Sequence, residues 1–383
     1  MRKHQQNNRM ITIEKIVFPH KITEFIDFPH DLYKNDPMYV PEIFLGQKDL
    51  LNPKKHPFFE HSKLDMFLAY KDNKVVGRVA AIRNNNHIAF TGKQEGFFGF
   101  FECIEDFEVA KKLFDAATDW MKKEKLTSIV GPTNFSTNEP FGMLIDGFDM
   151  PAMMSTTYNK QYYDAFCKQY GFAKKVDFYA YIIRPESVSE KAVKLSDAFE
   201  ARLKTKGITI RPISMKNYEK ESENASAVYN AAWDKNLGFV PMTHNEFMHL
   251  TKEMKMIVDP DLCLVAEHEG KMVGFAFALP NINQLLIKIK RGRLLPFGIF
   301  RLLFQRKKIN TLRVVVLGVI EGYRKLGIEA IFYSKIITNG KARNMQYAEA
   351  SLILETNEMM NQGLKNINAE VYKTSRLYEM AVK

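Results

Sequence analysis

The stretch that decides the fold is Leu317-Gly-Val-Ile-Glu-Gly-Tyr-Arg-Lys-Leu-Gly-Ile-Glu-Ala330. It overlaps an apolar run at residues 313–320, which predicts a buried β-strand. It also opens a periodic segment at residues 325–342, which predicts an α-helix. A strand that feeds a helix and then another strand forms a crossover, and a crossover joins parallel neighbours in a sheet. The stretch therefore indicates an α/β fold with a mixed sheet.

The turn between this strand and this helix has the chemistry of an anion site. The first turn of a helix has backbone N–H groups without intrahelical partners and lies at the positive end of the helix dipole. Gly327 has no Cβ atom, so a phosphate can approach its backbone, and Arg324 adds positive charge at the mouth of the turn. We expect residues 324–330 to bind a diphosphate. The structural alternative is an ordinary helix start with a turn glycine.

The same order of predicted elements occurs in both halves of the chain. Each half reads strand, helix, hairpin, strand, helix, strand, helix and strand. In the first half the elements are residues 11–17, 22–34, 65–70 with 74–83, 96–103, 106–123, 128–131, 160–170 and 177–183. In the second half a charged helix at 187–206 precedes residues 208–212, 218–234, 262–267 with 271–278, 313–320, 325–342, 348–354, 357–367 and 371–377.

Length and composition also favour two domains. The chain has 383 residues, of which 46% are hydrophobic and 26% charged, and this is too long for one ordinary core. We predict a flexible tail at residues 1–9, a first domain at 10–185 and a second domain at 186–383. The sequence contains no apolar run of about 18 residues and no signal peptide at its start. A cytoplasmic protein is therefore expected.

The formal net charge of +11 has two explanations, an anionic partner or a charged surface that only keeps the protein soluble. CoA, nucleic acid and acidic lipid all qualify, and charge does not choose among them. A metal is not expected, because His244 and His249 miss the four-residue spacing that places two ligands on one helix face.

Residues 317–330 resemble the acyl-CoA-binding motif of the Gcn5-related N-acetyltransferase (GNAT) superfamily. That motif follows a strand, reads Arg or Gln, two residues, Gly, one residue, and Gly or Ala, and then opens a helix. Arg324 and Gly327 are in register with it, whereas Glu329 stands in the place of the second Gly or Ala. The resemblance implies that acetyl-CoA or another acyl-CoA is the co-substrate.

The first half carries a different part of the resemblance. Residues 159–172 are similar to the last helix of the superfamily, which begins at Asn and ends in Gly-Phe. However, three carboxylates, of Glu105, Asp106 and Glu108, follow the central strand of this half, and they disfavour phosphate there. The resemblance implies two tandem GNAT-like domains, each a mixed central sheet flanked by helices. Only the second keeps the acyl-CoA motif, and the first is degenerate.

The resemblance also implies which residues hold the co-substrate. The backbone of the strand before the motif is expected to bind the acyl and pantetheine groups. The motif itself is expected to bind the diphosphate. The cofactor-binding candidates are Leu317, Gly318, Val319, Arg324, Lys325, Leu326, Gly327, Ile328, Glu329 and Ala330. The acid of the family is often a Tyr on the last helix, where this chain has Leu364 and, in its first half, Cys167.

Transfer of an acyl group to an amine requires a base for the amine and donors for the thioester oxygen. The catalytic candidates are Glu355 at the end of its strand, Glu321 just before the loop, and Tyr372. Surface, capping and packing roles are their structural alternatives. Two polar stretches, residues 131–148 and 233–243, offer candidates for acceptor binding, namely Asn134, Asn138, Trp233 and Asn236.

Residues 285–308 form an unusual insertion in which apolar and basic side chains interleave. Three interpretations remain open. The segment covers the substrate cleft as a flap, lies on anionic lipid, or packs as a helical hairpin with a basic edge. It is too short and too charged to span a bilayer.

We predict an enzyme that transfers an acetyl or longer acyl group from acyl-CoA to an amine of a small molecule or peptide. Two alternatives remain. One is a non-catalytic CoA-binding or ligand-binding protein on the same fold. The other is a Fem-like aminoacyl transferase that takes its donor from tRNA, as the tandem arrangement allows. No DNA partner is expected, and tRNA enters only through this last alternative.

Overall fold

The structure, a computed structural model, describes residues 10–187, 190–233 and 239–383. The tail predicted at residues 1–9 lies outside the described residues. The helices are α1 (Ile22–Leu32), α2 (Phe44–Leu50), α3 (Asn85–Thr91), α4 (Phe107–Lys123), α5 (Tyr163–Tyr170), α6 (Glu190–Lys204), α7 (Tyr218–Trp233), α8 (His244–Met254), α9 (Asn283–Leu286), α10 (Gly298–Phe304), α11 (Ile328–Ala342) and α12 (Glu358–Asn366). The strands are β1 (Ile11–Ile16), β2 (Lys63–Lys71), β3 (Lys74–Arg83), β4 (Glu95–Cys103), β5 (Ser128–Gly131), β6 (Met143–Asp146), β7 (Ala173–Ile183), β8 (Ile208–Pro212), β9 (Cys263–His268), β10 (Lys271–Pro280), β11 (Thr311–Val319), β12 (Tyr347–Leu354) and β13 (Glu370–Ala381).

The order of elements predicted from the sequence is confirmed, and most differences lie at the ends of the elements. The prediction omitted α2, α3, α8 and β6, and it left the segment that contains α9 and α10 open among three interpretations. For α8 a local signal was present, because Thr243 and Glu246 form a capping box. In this box the Thr243 hydroxyl accepts a hydrogen bond from the amide of Glu246, and the Glu246 carboxylate accepts one from the amide of Thr243.

The described strands form one mixed sheet in the order β1-β2-β3-β4-β5-β13-β7-β12-β11-β10-β9-β8, and β6 pairs with β13. The closing strands of the two halves are exchanged within this sheet. β13, at the end of the chain, lies beside β5, with Tyr378 opposite Gly131. β7, at the end of the first half, lies beside β12, with Ile183 opposite Ala348. Each half is therefore completed by a strand from the other half, a feature that the order of elements did not predict.

Each half contains one parallel pair of strands that separates part of the way along. β4 pairs with β5 over residues 95–97 and 128–130, but continues to Cys103. β11 pairs with β12 over residues 311–314 and 347–350, but continues to Val319. Beyond these residues the pairing of each ladder stops, and between β11 and β12, which both continue, this leaves a cleft in the sheet. The cleft of the second half lies directly before the turn that the sequence singled out.

Helices cover both faces of the sheet. On one face of the first half, α4 buries Val109, Leu113 and Ala117. In the second half, α11 buries Ile328, Ile331 and Phe332 against the sheet. α7 and α8 form a separate core on the opposite side of β10 and β11. None of the described helices has the length and apolar character required to cross a membrane.

Candidate functional site

The turn before α11 is open at its backbone. Gly327 is the N-cap of α11 with φ +93°, and no side chain among the described residues caps this helix. The carboxylate of Glu329 forms no hydrogen bond with the described residues and does not close the turn. Glu329 instead lies near Tyr333, whose phenol pKa is raised first by burial and then by this charge. The uncapped amides of the first turn fit the predicted diphosphate site.

Arg324 is exposed and has a structural role besides its charge. Its Nε atom donates to the carbonyl of Val319 at 3.0 Å, and its Nη2 atom donates to the carbonyl of Ala232 at 2.9 Å. The side chain thereby ties the turn to the end of β11 and to the last turn of α7. Lys325, with φ +64°, delays the start of α11, so the helix begins at Ile328 rather than at residue 325.

The second half of β11 is covered by an indole ring. A Cβ atom at Gly318 would lie 2.1 Å from the Cη2 atom of Trp233. The indole also stacks on Tyr229 with 5.0 Å between ring centroids. The structure thus brings Trp233, a predicted acceptor-binding residue, onto Gly318, a predicted cofactor-binding residue.

The corresponding region of the first half is already occupied by its own side chains. Asp106 caps α4 by accepting a hydrogen bond from the amide of Glu108 at 3.0 Å. Phe100, in a bulge of β4 with φ +51°, donates its amide hydrogen to the Asn134 carboxamide oxygen at 2.8 Å. A diphosphate finds no open helix start here. Asn134 lines the cavity described below, but its carboxamide oxygen already accepts the hydrogen bond from the amide of Phe100.

Asn138 joins the two halves. Its oxygen accepts a hydrogen bond from the Tyr229 hydroxyl at 2.7 Å, and its Nδ2 atom donates to the carbonyl of Val240 at 3.0 Å. Asn236, the other predicted acceptor-binding residue in this region, lies outside the described residues. The catalytic and acceptor-binding roles of these residues stay predictions.

The three predicted catalytic residues lie apart from one another. Glu355 accepts hydrogen bonds from Lys174 Nζ at 2.7 Å and from the amide of Asp177 at 2.9 Å, which ties β12 to β7. Tyr372 donates to the fully buried carboxylate of Glu349. Glu321 is exposed in the turn before α11.

A cavity of about 380 Å³ lies between the two halves. The first half supplies residues 39–43 before and at the start of α2, the end of β4, and two loops that follow β5. The second half supplies one face of α8 and the chain around α9. Apolar side chains dominate much of the wall, among them Ile43, Leu50, Phe100, Phe101, Met143, Met154, Leu250, Met254, Ile257, Ile282 and Leu286.

The polar part of the cavity wall is strongly acidic. It contains four carboxylates, those of Glu42, Glu102, Glu139 and Glu253, and one guanidinium, that of Arg78. Burial, together with the nearby carboxylates of Glu253, Glu246 and Glu42, raises the pKa of Glu139 to about 8. Glu42, which also lines the cavity, has a pKa that burial raises.

Glu102 is the best anchored of these carboxylates. It accepts hydrogen bonds from the hydroxyls of Tyr33 at 2.7 Å and Tyr163 at 2.8 Å. Burial raises its pKa to about 7, although Arg78 and the two hydroxyls act in the opposite direction. Arg78 is 5% exposed, and its Nε atom has no partner among the described residues. Because a buried donor without a partner is costly, a polar ligand group is favoured beside it.

Glu139 also borders a small space that contains two histidines. The imidazole rings of His56 and His249 lie 4.9 Å apart in an edge-to-face arrangement. Burial lowers the pKa of His56 to about 4, and the neighbouring His249 lowers it as well. His56 is therefore neutral near pH 7 and adds no positive charge beside Glu139.

Strand β11 connects the cavity to the turn before α11. Leu312 pairs with Pro280, which precedes cavity residue Ile282, and Val319 leads into the turn. At a rise of about 3.3 Å per residue, these two ends of β11 lie roughly 23 Å apart. Arg313 holds the cavity wall to the strand, because its Nη1 atom donates to the carbonyl of Met154 at 2.9 Å.

Sequence reasoning found the turn but missed the cavity. Its carboxylates come from distant parts of the chain and share no spacing that a motif could reveal. Glu139 lies inside a polar stretch that the sequence did single out, but two neighbouring asparagines were chosen instead.

Comparisons with known proteins agree with this architecture. The chain is 31% identical over 385 residues to the bacterial ceramide synthase of Caulobacter vibrioides, and the match covers 98% of each chain. It is 33% identical over 366 residues to Protein YghO of Escherichia coli, which covers 94% of this chain and 92% of YghO. A scan against models of known protein families finds no match.

Among solved structures, the tandem GNAT protein from the clavulanic acid biosynthesis pathway has a TM-score of 0.58 to this chain. The match covers 98% of this chain and 99% of that protein at 10% identity. A GCN5-related N-acetyltransferase from Sphaerobacter thermophilus has a TM-score of 0.51 at 12% identity. These likenesses confirm the predicted tandem GNAT-like fold. Together with the Caulobacter relative, they agree with the predicted class of acyl-CoA-dependent transferase.

Proposed function

Because this chain belongs to the family of the Caulobacter bacterial ceramide synthase and YghO, we propose that it is an N-acyltransferase that joins an acyl group from acyl-CoA to a long-chain amino alcohol. A ceramide is the amide of a fatty acid with such an amino alcohol. The observation that carries the proposal is the identity of 31% to the ceramide synthase over nearly the whole of both chains.

The turn before α11 is the proposed place of the CoA diphosphate. Support comes from its uncapped first-turn amides, from the left-handed Gly327, and from the exposed Arg324 at its mouth. Bound acyl-CoA supplies an activated acyl thioester. The backbone of Leu317, Gly318 and Val319 is the proposed support for the arm that leads from the diphosphate into the cleft.

The cavity between the halves is the proposed acceptor site. An amine is an ammonium ion near pH 7, and the cavity offers it four acidic side chains, which attract such a cation in their ionised forms, against one guanidinium. The same negative charges repel the phosphates of CoA and so keep the CoA diphosphate out of the proposed acceptor site. The apolar wall accommodates the hydrocarbon chain of an amphiphilic amine.

Glu139 is the proposed general base. A base works best when its pKa lies near the operating pH, and the pKa of Glu139 is about 8. In its ionised form it accepts the proton of the ammonium group and leaves a neutral amine that can attack the acyl carbon. Glu102, held by two tyrosine hydroxyls, positions the ammonium group by charge.

The experiment is a transfer assay with the purified chain, a series of acyl-CoAs from acetyl to long-chain, and three acceptors: a long-chain amino alcohol, a short water-soluble amine and a peptide. Thiol release and mass spectrometry of the amide are the readouts. Amide formation with the long-chain amino alcohol is the expected result. Uptake of acyl-CoA without turnover on any acceptor would favour a binding protein instead. Salt-sensitive tRNA binding without acyl-CoA uptake would favour an aminoacyl transferase.

A further inference from the structure

The basic apolar segment, residues 285–308, exposes large apolar side chains at one surface. Five of them lie within ten residues, with relative exposures of 71% for Leu295, 80% for Phe297, 53% for Phe300, 51% for Leu303 and 78% for Phe304. The rings of Phe300 and Phe304 are parallel, with 6.2 Å between their centroids. Such a concentration of exposed apolar surface marks an interaction site.

The charge of the same segment is uniformly positive. Residues 282–309 contain eight basic residues and no acidic residue. Two of the basic side chains are used internally, because Arg291 pairs with Asp31 at 2.7 Å and Arg293 pairs with Asp27 at 2.8 Å. The other six form no ion pair within the described parts of the chain, and these are Lys288, Lys290, Arg301, Arg306, Lys307 and Lys308.

The internal contacts hold the segment in place with its apolar side chains directed outwards. The guanidinium of Arg293 lies 3.2 Å from the ring centroid of Phe44 in α2. Gly292 approaches residue 42 so closely that a Cβ atom would lie 1.7 Å from the carbonyl oxygen of Glu42. Glu42 belongs to the wall of the inter-half cavity, as does Leu286 near the start of the segment. The exposed apolar surface therefore adjoins the cavity.

We propose that the basic apolar segment docks this protein on an anionic lipid surface. The exposed rings enter the interface between headgroups and acyl chains, and the six basic side chains meet the lipid phosphates. A second copy of the chain is a poorer partner, because two such faces would place like charges opposite each other. Docking in this orientation brings the cavity wall close to the lipid, which is the source of an amphiphilic acceptor. Only this delivery step rests on the proposed function.

Binding is tested with the full chain and without acyl-CoA or amine, so failure of the proposed acyl transfer leaves the result intact. Sedimentation is measured with phosphatidylcholine vesicles and with vesicles in which about a third of the lipid is phosphatidylglycerol. We expect binding to the anionic vesicles to be about tenfold stronger and to weaken with salt. The double variant Phe297→Ser/Phe304→Ser is expected to lower that binding about tenfold. Lys307→Glu/Lys308→Glu is expected to remove most of its salt dependence.

Matched controls lie elsewhere on the surface. Met256→Ser/Met359→Ser removes two side chains that are 65% and 85% exposed. Lys122→Glu/Lys123→Glu reverses two exposed charges at the end of α4. Both controls are expected to bind as the unaltered chain does.

Three results would overturn the proposal. One is that the unaltered chain binds neither kind of vesicle. Another is that Phe297→Ser/Phe304→Ser binds anionic vesicles as strongly as the unaltered chain does. The third is that the unaltered chain is a dimer in analytical ultracentrifugation and the phenylalanine variant is a monomer, while this variant still binds vesicles as well as the control variants do. If docking delivers the acceptor, the phenylalanine variant also loses turnover on a vesicle-borne amino alcohol while keeping turnover on a short soluble amine.

Discussion

The indole of Trp233 lies directly over Gly318, at a distance that leaves no room for a Cβ atom at position 318. Gly318 belongs to the strand before the proposed diphosphate turn, and Trp233 ends the helix that packs over this strand. One aromatic side chain therefore limits the space along the proposed path of the acyl group.

Replacing the indole should change which acyl-CoA is used. Trp233→Ala is expected to raise kcat/KM for longer acyl-CoAs relative to acetyl-CoA, because it opens space beside β11. Gly318→Ala forces the ring away and should destabilise the fold by about 1–3 kcal/mol. Steady-state kinetics across the acyl-CoA series and thermal unfolding are the measurements. In the double variant the small residue at 233 should recover much of the lost stability, and a purely additive loss would contradict this contact.

Gly327→Ala tests the turn before α11. A Cβ atom at this position combines φ +93° with a distance of 3.2 Å to the Phe199 ring. We expect a stability loss of about 1 kcal/mol and a KM for acyl-CoA raised about tenfold or more, because the turn must shift away from the diphosphate. The matched control is Gly270→Ala, at φ +76° with open space around it. It should lose similar stability with an unchanged KM, and equal KM effects in both variants would count against the turn as the diphosphate site.

The activity should depend on the ionisation of Glu139. Since its pKa is about 8, kcat/KM is expected to rise with pH up to that value as the carboxylate becomes the base. Glu139→Gln should lower kcat by about 10²-fold or more and remove this limb of the profile. Asn138→Asp is no suitable control, because a carboxylate cannot donate the hydrogen bond that Asn138 Nδ2 gives to the carbonyl of Val240, so Glu60→Gln on the exposed surface serves instead. A pH profile that Glu139→Gln leaves unchanged would exclude it as the base.

Glu139 should also make the stability depend on pH. Its pKa is raised above the ordinary carboxyl value, so the folded state binds a proton that the unfolded state has released. The stabilisation that this proton provides is complete below the ordinary pKa of a glutamate and is lost as the pH rises through about 8. Thermal midpoints measured between about pH 6 and about pH 9 should therefore fall less in Glu139→Gln than in the unaltered chain.

Arg313 and Glu349 form a buried pair whose loss should be costly. They are 5% and 0% exposed, and Arg313 Nε lies 3.5 Å from Glu349 Oε1. Arg313→Met leaves the carboxylate buried without its cation and should destabilise the fold by about 3–5 kcal/mol. Chemical denaturation measures this loss. The double variant Arg313→Met/Glu349→Gln should be more stable than Arg313→Met alone, and the reverse order would refute the pairing.

The sequence by itself determined most of the elements and the position of the turn before α11, because both depend on neighbours in the chain. Hydrophobic periodicity identified α4 and α11, and the residues from Arg324 to Gly327 identified the turn. The start of α11 was misplaced by three residues, since periodicity does not register the left-handed backbone at Lys325 and Gly327.

Only the tertiary structure decided the exchange of β7 and β13 and the acidic cavity. Strand partners depend on contacts between residues that lie far apart in the chain. The raised pKa of Glu139 likewise results from burial against Glu253 and Glu246 of the other half. A local sequence pattern contains no information about distances between remote residues or about burial. The residue types alone therefore could not predict that those carboxylates line one cavity.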